Sequence, residues 1–492
     1  MANAPQAVFR CDASPAIGAG HAARCLAFAE QLVGLGWKVD FAVGPETVET
    51  FPALADPGIG IGIVAAGQAE REPDLLRDHH PQGVDLLVLD HYGRDAAFER
   101  RCRPWARQIL VFDDATGRSH DCDILVDAAA LEPAAYRGHV PEHALVLTGP
   151  AYALLRRSFV TRRTAALARR DAGAVRNILI SFGASDPFNA TSIALDVLKD
   201  IPVDVTVALS SRAPHLDVVQ ARLSKRMRLM VDADLAPLTA EADLAIGAPG
   251  SSAFERALLG LPSILVTLAD NQRGIARLLV RAGAAIDAGM LDHDLAARLG
   301  RLTEMLMRDA AARASMSQAA MSLVDGRGAV RLSLAGAGTV ATPDQARVRL
   351  RLAEAGDEAW LLELQRQPQT RQYFRNPTVP TADEHRRWLR QVLDDPRRLL
   401  LIVEVDATPA GTVRLDRNDD LGEVVRYAIS IAIGPAFHNR GVGSAALSLI
   451  RRLMPAAALD ADVAPENVAS MRLFSSKGFQ RVGNDLYRSM PS

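Results

Sequence analysis

From its start to about residue 330, the chain alternates short apolar runs rich in β-branched residues with helix-length amphipathic stretches. That alternation is the signature of βαβ units building a parallel sheet. Strands are expected at 7–10, 38–43, 60–64, 85–90, 108–112 and 124–127. After a break rich in Arg and Ala over 156–176, the pattern restarts with strands at 177–182, 203–209, 228–231, 244–247 and 263–266. Two tandem Rossmann-like halves, 1–155 and 156–335, are the simplest reading. The small, uncharged stretch 334–343, LAGAGTVATP, lacks sustained periodicity and reads as a linker. Beyond it the order changes to α+β, giving a third domain over 345–490. Helices are expected around 356–365 and 383–393 and strands at 399–405, 411–415 and 424–433. The turn GPAFHNRGVG and a helix over 446–454 follow. A length of 492 residues holds three such units at about 150 residues each.

Charge and cysteine content narrow the function classes. Lys+Arg is 56 and Asp+Glu 58, a net charge of −2, and no long basic run supplies the field of a nucleic-acid or anionic-membrane binder. Cys11, Cys25, Cys102 and Cys122 form no CxxC pair and no Cys/His group at zinc spacing, which argues against a disulfide framework or a structural metal site. No leader-like segment opens the chain and no apolar run reaches membrane-span length. The expectation is a cytoplasmic enzyme without nucleic-acid or membrane partners.

The first concentration of chemistry follows the first strand. Ile17-Gly18-Ala19-Gly20-His21-Ala22-Ala23-Arg24 places two glycines at a strand-to-helix turn, where backbone approaches a ligand closely and free N–H groups face an anion. A dinucleotide fingerprint would need a third glycine at Ala23, and Asp40 lies within a strand rather than at its end, so a nicotinamide site is not indicated. His21 stands at the mouth of the helix, where an unperturbed imidazole would be able to act as a base at neutral pH. The alternative is a structural helix-start residue, outweighed by the glycine turn and its companions. In the second half, Ser181-Phe182-Gly183-Ala184-Ser185 and Gly247-Ala248-Pro249-Gly250-Ser251-Ser252 are small-residue turns suited to phosphate oxygens, or simply tight βα connections. Glu255 stands one turn further on, suited to ribose hydroxyls or to a solvated helix face. Asn271 and Gln272 suit sugar hydroxyls or a helix cap. Asp12, Asp90, Asp113, Asp114 and Asp186 end strands, where capping is common, and of these only Asp12 is kept, as an aid to His21.

In order, FRCDASPAIGAGHAARCLAFAEQL, LVLDHY, FDDATGRSHDCDILVD, YALLRRSF, ISFGASDP, GAPGSSAFERALLGLP and DNQ resemble the UDP-sugar hydrolase of pseudaminic acid biosynthesis. That family is related in fold to two-domain (GT-B) glycosyltransferases, exemplified by the lipid II-forming N-acetylglucosaminyltransferase. The resemblance spans about 7–330. It implies metal-independent hydrolysis of UDP-2,4-diacetamido-2,4,6-trideoxy-β-L-altropyranose to UDP and free sugar. By this resemblance His21 activates or orients water, Tyr92 lines the sugar site and Asn271 contacts substrate near the diphosphate. Ser251, Ser252 and Glu255 hold the diphosphate and ribose. Gly18, Gly20, Arg24, Gly183, Ser185, Gly250 and Gln272 complete the expected substrate-binding set.

The second concentration lies near the C-terminus. A strand carrying Ile431 and Ile433 runs into His438-Asn439-Arg440-Gly441-Val442-Gly443-Ser444, a glycine turn opening a helix, whose N–H groups suit a pyrophosphate. The spacing resembles the acetyl-CoA loop of the GNAT superfamily, Q/R-x-x-G-x-G/A, with His438 in the first position. Asn467, Ser470, Leu473, Phe474, Gly478 and Phe479 resemble that family's N-x-x-A-x-x-L-Y-x-x-x-G-F segment. Phe474 replaces the Tyr that often protonates the departing thiolate, leaving that role vacant or to Tyr427 or Tyr487. The plainer alternative for these residues is helix and hairpin packing. Within 348–488, Arg371-Gln372-Tyr373-Phe374 and Glu384-His385-Arg386-Arg387-Trp388 resemble the acetyltransferase of the same pathway, and Glu404 is a candidate base. Together these resemblances imply a bifunctional enzyme that acetylates a UDP-linked amino sugar with acetyl-CoA and then releases UDP, with no metal. The rival is a GT-B glycosyltransferase carrying a non-catalytic or differently specific acyl-CoA-binding domain.

Overall fold

A computed structural model describes residues 4–14, 17–55, 58–64, 68–130, 132–170, 173–374, 376, 378–418 and 425–491. Pro15 and Ala16 of the first motif, and Val424 at the expected start of a strand, lie outside them. The chain separates into two compact units, one of residues 6–31 with 38–329 and the other mainly of 330–492. Among the described residues no helix is long and apolar enough to cross a membrane.

The first unit contains two wholly parallel sheets. One runs, edge to edge, Gly60–Ile63, Lys38–Val43, Gln6–Cys11, Leu86–Asp90, Ile109–Phe112, Ile124–Asp127 and Leu145–Thr148. The other runs Met227–Val231, Asp204–Leu209, Asn177–Ser181, Leu244–Gly247, Ser263–Thr267 and Ile286–Met290. The central strands are short continuous apolar runs because helices cover both faces, and LLVLD and ILVF are buried at every position. The outer strands Leu145–Thr148 and Ile286–Met290 escaped the sequence reading. They are half-exposed, so no buried apolar run marks them, and IDAGM has few strand-forming residues.

In each sheet the chain order reverses beside the first strand, which lies next to the fourth. Parallel sheets open a crevice there, outside the carboxyl ends of the strands. The motifs containing His21, Tyr92, Gly183 and Gly250 all follow strands at these two reversal points.

The second unit is built on an eight-stranded sheet. Its order is Val340–Ala341, Arg347–Leu352, Arg398–Val405, Thr408–Asn418, Arg426–Ile433, Ala458–Asp462, Leu486–Ser489 and Gln480–Arg481. Alternation along Arg398–Val405 separates two cores: Leu400 and Ile402 join Leu361, Leu389 and Val392, whereas Leu401 and Val403 join Ala446 and Ile450. The expected linker is corrected here. Residues 334–337 finish the helix Gly328–Ala337, and Val340–Ala341 pairs antiparallel with Arg347 and Val348. Its small residues pack rather than swing. Strand Arg347–Leu352, RVRLRL, also went unread, although its strict Arg/apolar alternation was a period-two signal.

Candidate functional site

Helix Gly20–Gly34 begins at the glycine turn, so His21 sits in its first turn, above the end of strand Leu86–Asp90. His21 Nδ1 is hydrogen-bonded to Asp90 Oδ1. Arg24, one turn along the same helix face, grips both oxygens of Asp90 at 2.5 Å. Burial opposes ionisation of Asp90, yet Arg24 and His21 outweigh it and hold the carboxyl well below the usual range. An ionised carboxylate only accepts, so Nδ1 carries the proton, and in the neutral imidazole the lone pair is then on Nε2. That is the tautomer of a general base.

Tyr92 packs edge-on against the His21 ring, with centroids 4.9 Å apart, and is 44% exposed. Its hydroxyl donates to Asp114 Oδ1 at 2.8 Å and accepts from Asn271 Nδ2, which reaches over from the second sheet, at 3.4 Å. Burial, reinforced by Asp114, pushes the phenol up to about 12, so it stays neutral and serves as a hydrogen-bonding group. A Cβ on Gly20 would lie 3.6 Å from Ser251 Oγ, so the first glycine turn faces the start of helix Ser251–Leu258. His21, Tyr92, Asn271 and Ser251 thus converge on one crevice between the two sheets.

Asp12 is not the partner of His21. Its oxygens are taken by Arg10 at 2.5 and 3.1 Å, by His91 Nε2 at 3.0 Å and by the Gly44 amide at 2.6 Å. A strand-end carboxylate is drawn to the nearest buried cation, and Arg10 points to the same side of the sheet. Asp90, set aside in the sequence, takes the role instead. Glu255 is held by Arg156 at 3.2 Å, and burial pushes its carboxyl up from its ordinary value, with Arg156 opposing. Gln272 is turned inward, its Oε1 accepting from the Leu268 amide at 2.9 Å, as a structural brace. Gly18 and Gly183 both adopt left-handed backbone, and Ser185 precedes Asp186, which caps the Ala190 and Thr191 amides.

Behind the crevice, His120 is fully buried between Glu99 at 2.7 Å and Asp113 at 3.2 Å. Burial lowers its pKa, but the two carboxylates prevail and raise it to about 9. The imidazolium therefore stabilises the fold fully below its unfolded pKa of about 6.5, and this is lost as pH rises through about 9. The thermal midpoint should fall across that window, and His120→Gln should flatten the slope.

In the second unit, strand Arg426–Ile433 pairs along its whole length with Thr408–Asn418, but with Ala458–Asp462 only as far as Ala428. The strands then part, leaving the edge carrying Ile431 and Ile433 without a strand partner. Gly441, at φ +81°, precedes helix Val442–Leu453, and a Cβ there would stand 2.7 Å from Pro343 Cδ. The open strand edge and the helix start at Val442, Gly443 and Ser444 fit a pantetheine arm and a pyrophosphate. Asn439 is left-handed, Arg440 pairs with Asp344 at 2.8 Å, and His438 Nε2 lies 2.8 Å from the Ile433 carbonyl.

Other residues of this unit that the sequence singled out have partners within the fold. Asn467 caps helix Val468–Ser476 through the Ser470 amide at 3.0 Å, and Phe474 is buried against Phe479. Tyr427 and Tyr487 are buried in the same core. Glu404 is locked between Arg349 at 2.5 Å and Arg351 at 2.8 Å, which removes it as a candidate base. A pocket beside the open strand is lined by Leu361, Phe374, Trp388, Thr412, Arg414 and Ser430 among others. Trp388 and Phe374 come from the two segments singled out in the sequence. Thr412, Arg414 and Ser430 lie on strands with no motif to mark them.

Residues 347–480 match the family described as "Acetyltransferase (GNAT) domain". The first unit's fold is shared with a UDP-glucosyltransferase from Polygonum tinctorium, at a TM-score of 0.50 and 13% identity over 68% of this chain and 99% of that one. The chain thus joins a GT-B-type α/β fold to a segment that matches the GNAT domain family.

Over 287 residues the chain is 28% identical to the UDP-2,4-diacetamido-2,4,6-trideoxy-beta-L-altropyranose hydrolase of Campylobacter jejuni, covering 57% of this chain and 98% of that protein. It is 25% identical over 283 residues to the spore coat polysaccharide biosynthesis protein SpsG of Bacillus subtilis, covering 55% of this chain and 81% of the relative. The chain therefore couples a homologue of that UDP-sugar hydrolase to a C-terminal GNAT domain.

Proposed function

We propose that the first unit hydrolyses a UDP-linked diacetamido sugar to UDP and free sugar, and that the GNAT domain N-acetylates the UDP-4-amino-sugar precursor. The observation that carries the reading is the His21–Asp90–Arg24 relay beneath a crevice faced by the start of helix Ser251–Leu258. Nε2 of His21 takes a proton from water as the water oxygen attacks at the sugar–diphosphate linkage, and the bonding pair leaves with UDP. N–H groups and hydroxyls at Gly250, Ser251 and Ser252 stabilise the charge developing on the diphosphate. Tyr92 and Asn271 orient the sugar. The imidazolium then returns its proton to solvent.

In the second unit, Val442, Gly443 and Ser444 hold the pyrophosphate of acetyl-CoA, which supplies the acetyl group, and Ile431 and Ile433 align its arm. The pocket of Phe374, Trp388 and Arg414 receives the amino sugar. The proposed domain limits are 1–155, 156–335 and 345–490. Coupling two consecutive steps in one chain raises the local concentration of the intermediate.

An NMR time course with UDP-4-amino-4,6-dideoxy-N-acetyl-β-L-altrosamine tests this. Acetylated nucleotide sugar, followed by free diacetamido sugar, should form only with acetyl-CoA. UDP release without acetylation would remove the assigned order. Release that depends on an added sugar acceptor would make the first unit a glycosyltransferase.

A further inference from the structure

Arg256 follows Glu255 in helix Ser251–Leu258 and is only 3% exposed. Its Nη2 donates to the Ala248 carbonyl at 2.8 Å and its Nη1 to Ser252 Oγ at 3.2 Å, while Nε has no partner. The guanidinium is therefore tucked under the turn 247–252. Gly247 makes room for it: a Cβ there would stand 2.2 Å from the Ser181 carbonyl oxygen and 3.2 Å from Arg256 Nη1.

Among the described residues no carboxylate lies within ion-pair distance of this guanidinium, and neighbouring Glu255 is engaged by Arg156 at 3.2 Å. Burial lowers the Arg256 pKa to about 10, with Glu255 opposing, so the group stays charged at neutral pH. A buried cation without a paired anion is costly to keep. The cost is offset when an anion arrives in the low-dielectric crevice, where the attraction is little screened.

We propose that Arg256 is an electrostatic positioning residue for the nucleotide diphosphate, acting from beneath the turn rather than by contact. By donating to Ser252 Oγ it occupies an acceptor lone pair and leaves the hydroxyl proton to point at the anion. Its charge adds to the partial positive charge of the helix start. Because it selects for charge, it favours a diphosphate over a monophosphate or a bare nucleoside.

This rests on the nucleotide reading of residues 250–252, and the experiment separates the two. Calorimetric titrations of UDP, UMP and uridine are made on the full chain, on Arg256→Lys and on Arg256→Gln, with thermal melts of each. Wild type should bind UDP. Arg256→Lys, which keeps the charge, should stay within about threefold, and Arg256→Gln should lose about tenfold or more for UDP, less for UMP and nothing for uridine. Wild-type protein that binds no UDP would remove both the nucleotide reading and this inference. Binding of UDP by Arg256→Gln at wild-type strength would overturn the inference alone. So would equal losses for UDP and uridine, which mark a purely structural brace. Ser252→Ala provides a second arm should Arg256→Gln fail to fold. It should weaken UDP but not uridine, and unchanged UDP affinity in it would overturn the hydroxyl link.

Discussion

His21→Ala abolishes UDP release while leaving acetyl-CoA consumption intact, and Asp90→Asn reproduces most of that loss with the imidazole still present. General-base catalysis contributes about a hundred- to ten-thousandfold, and the alanine variant forfeits all of it. The asparagine variant tests the relay itself. An ionised Asp90 accepts from Nδ1 and directs the lone pair to Nε2, whereas an amide at that position donates as well as accepts and releases the tautomer. It also removes the carboxylate that Arg24 grips on both oxygens, so a lower thermal midpoint accompanies the loss. Initial rates of UDP formation from pre-acetylated substrate, beside acetyl-CoA consumption in the same preparation, measure both activities. Loss of both in His21→Ala would show that the residue is structural. Full activity in Asp90→Asn would show that the relay does not set the base.

Gly441→Leu has the converse effect: acetyl transfer and CoA binding are lost and UDP release from pre-acetylated substrate persists. The backbone at 441 is left-handed, where a side chain costs about 1–2 kcal/mol. A Cβ there also meets Pro343 at 2.7 Å, so the turn must move to admit it. Either response misdirects the N–H groups at the start of helix Val442–Leu453. Calorimetric titration with CoA reads the outcome directly, and wild-type affinity in Gly441→Leu would remove the pyrophosphate assignment. Persistent UDP release in the same sample shows that the first unit remains folded.

These two experiments bear unequally on what was legible in the chain. The glycine turns and His21 lie within short local segments, and the loop over 438–444 is marked by its resemblance to the GNAT motif. The strands Ile124–Asp127 and Leu244–Gly247 were likewise legible to the residue, because a strand buried on both faces is a compact apolar run bounded by turns. Edge strands such as Ile286–Met290 carry no such mark. The choice between Asp12 and Asp90 was illegible for another reason. Both end strands that pair side by side, Cys11 opposite Asp90, and sequence does not reveal which carboxylate a helix on one face of the sheet will reach.

The amino-acid sequence by itself determined the parallel α/β architecture, the change of class after the second half, and the two glycine turns that open helices. Each depends on periodicity or spacing within a few tens of residues. Only the tertiary structure decided which charges meet: Asp90 with His21 and Arg24, Glu404 between two arginines, Arg256 beneath its turn, and Asn271 reaching Tyr92 from the other sheet. Pairing between ionised groups falls steeply with distance and depends on burial. Both are set by how strands far apart in the chain lie side by side.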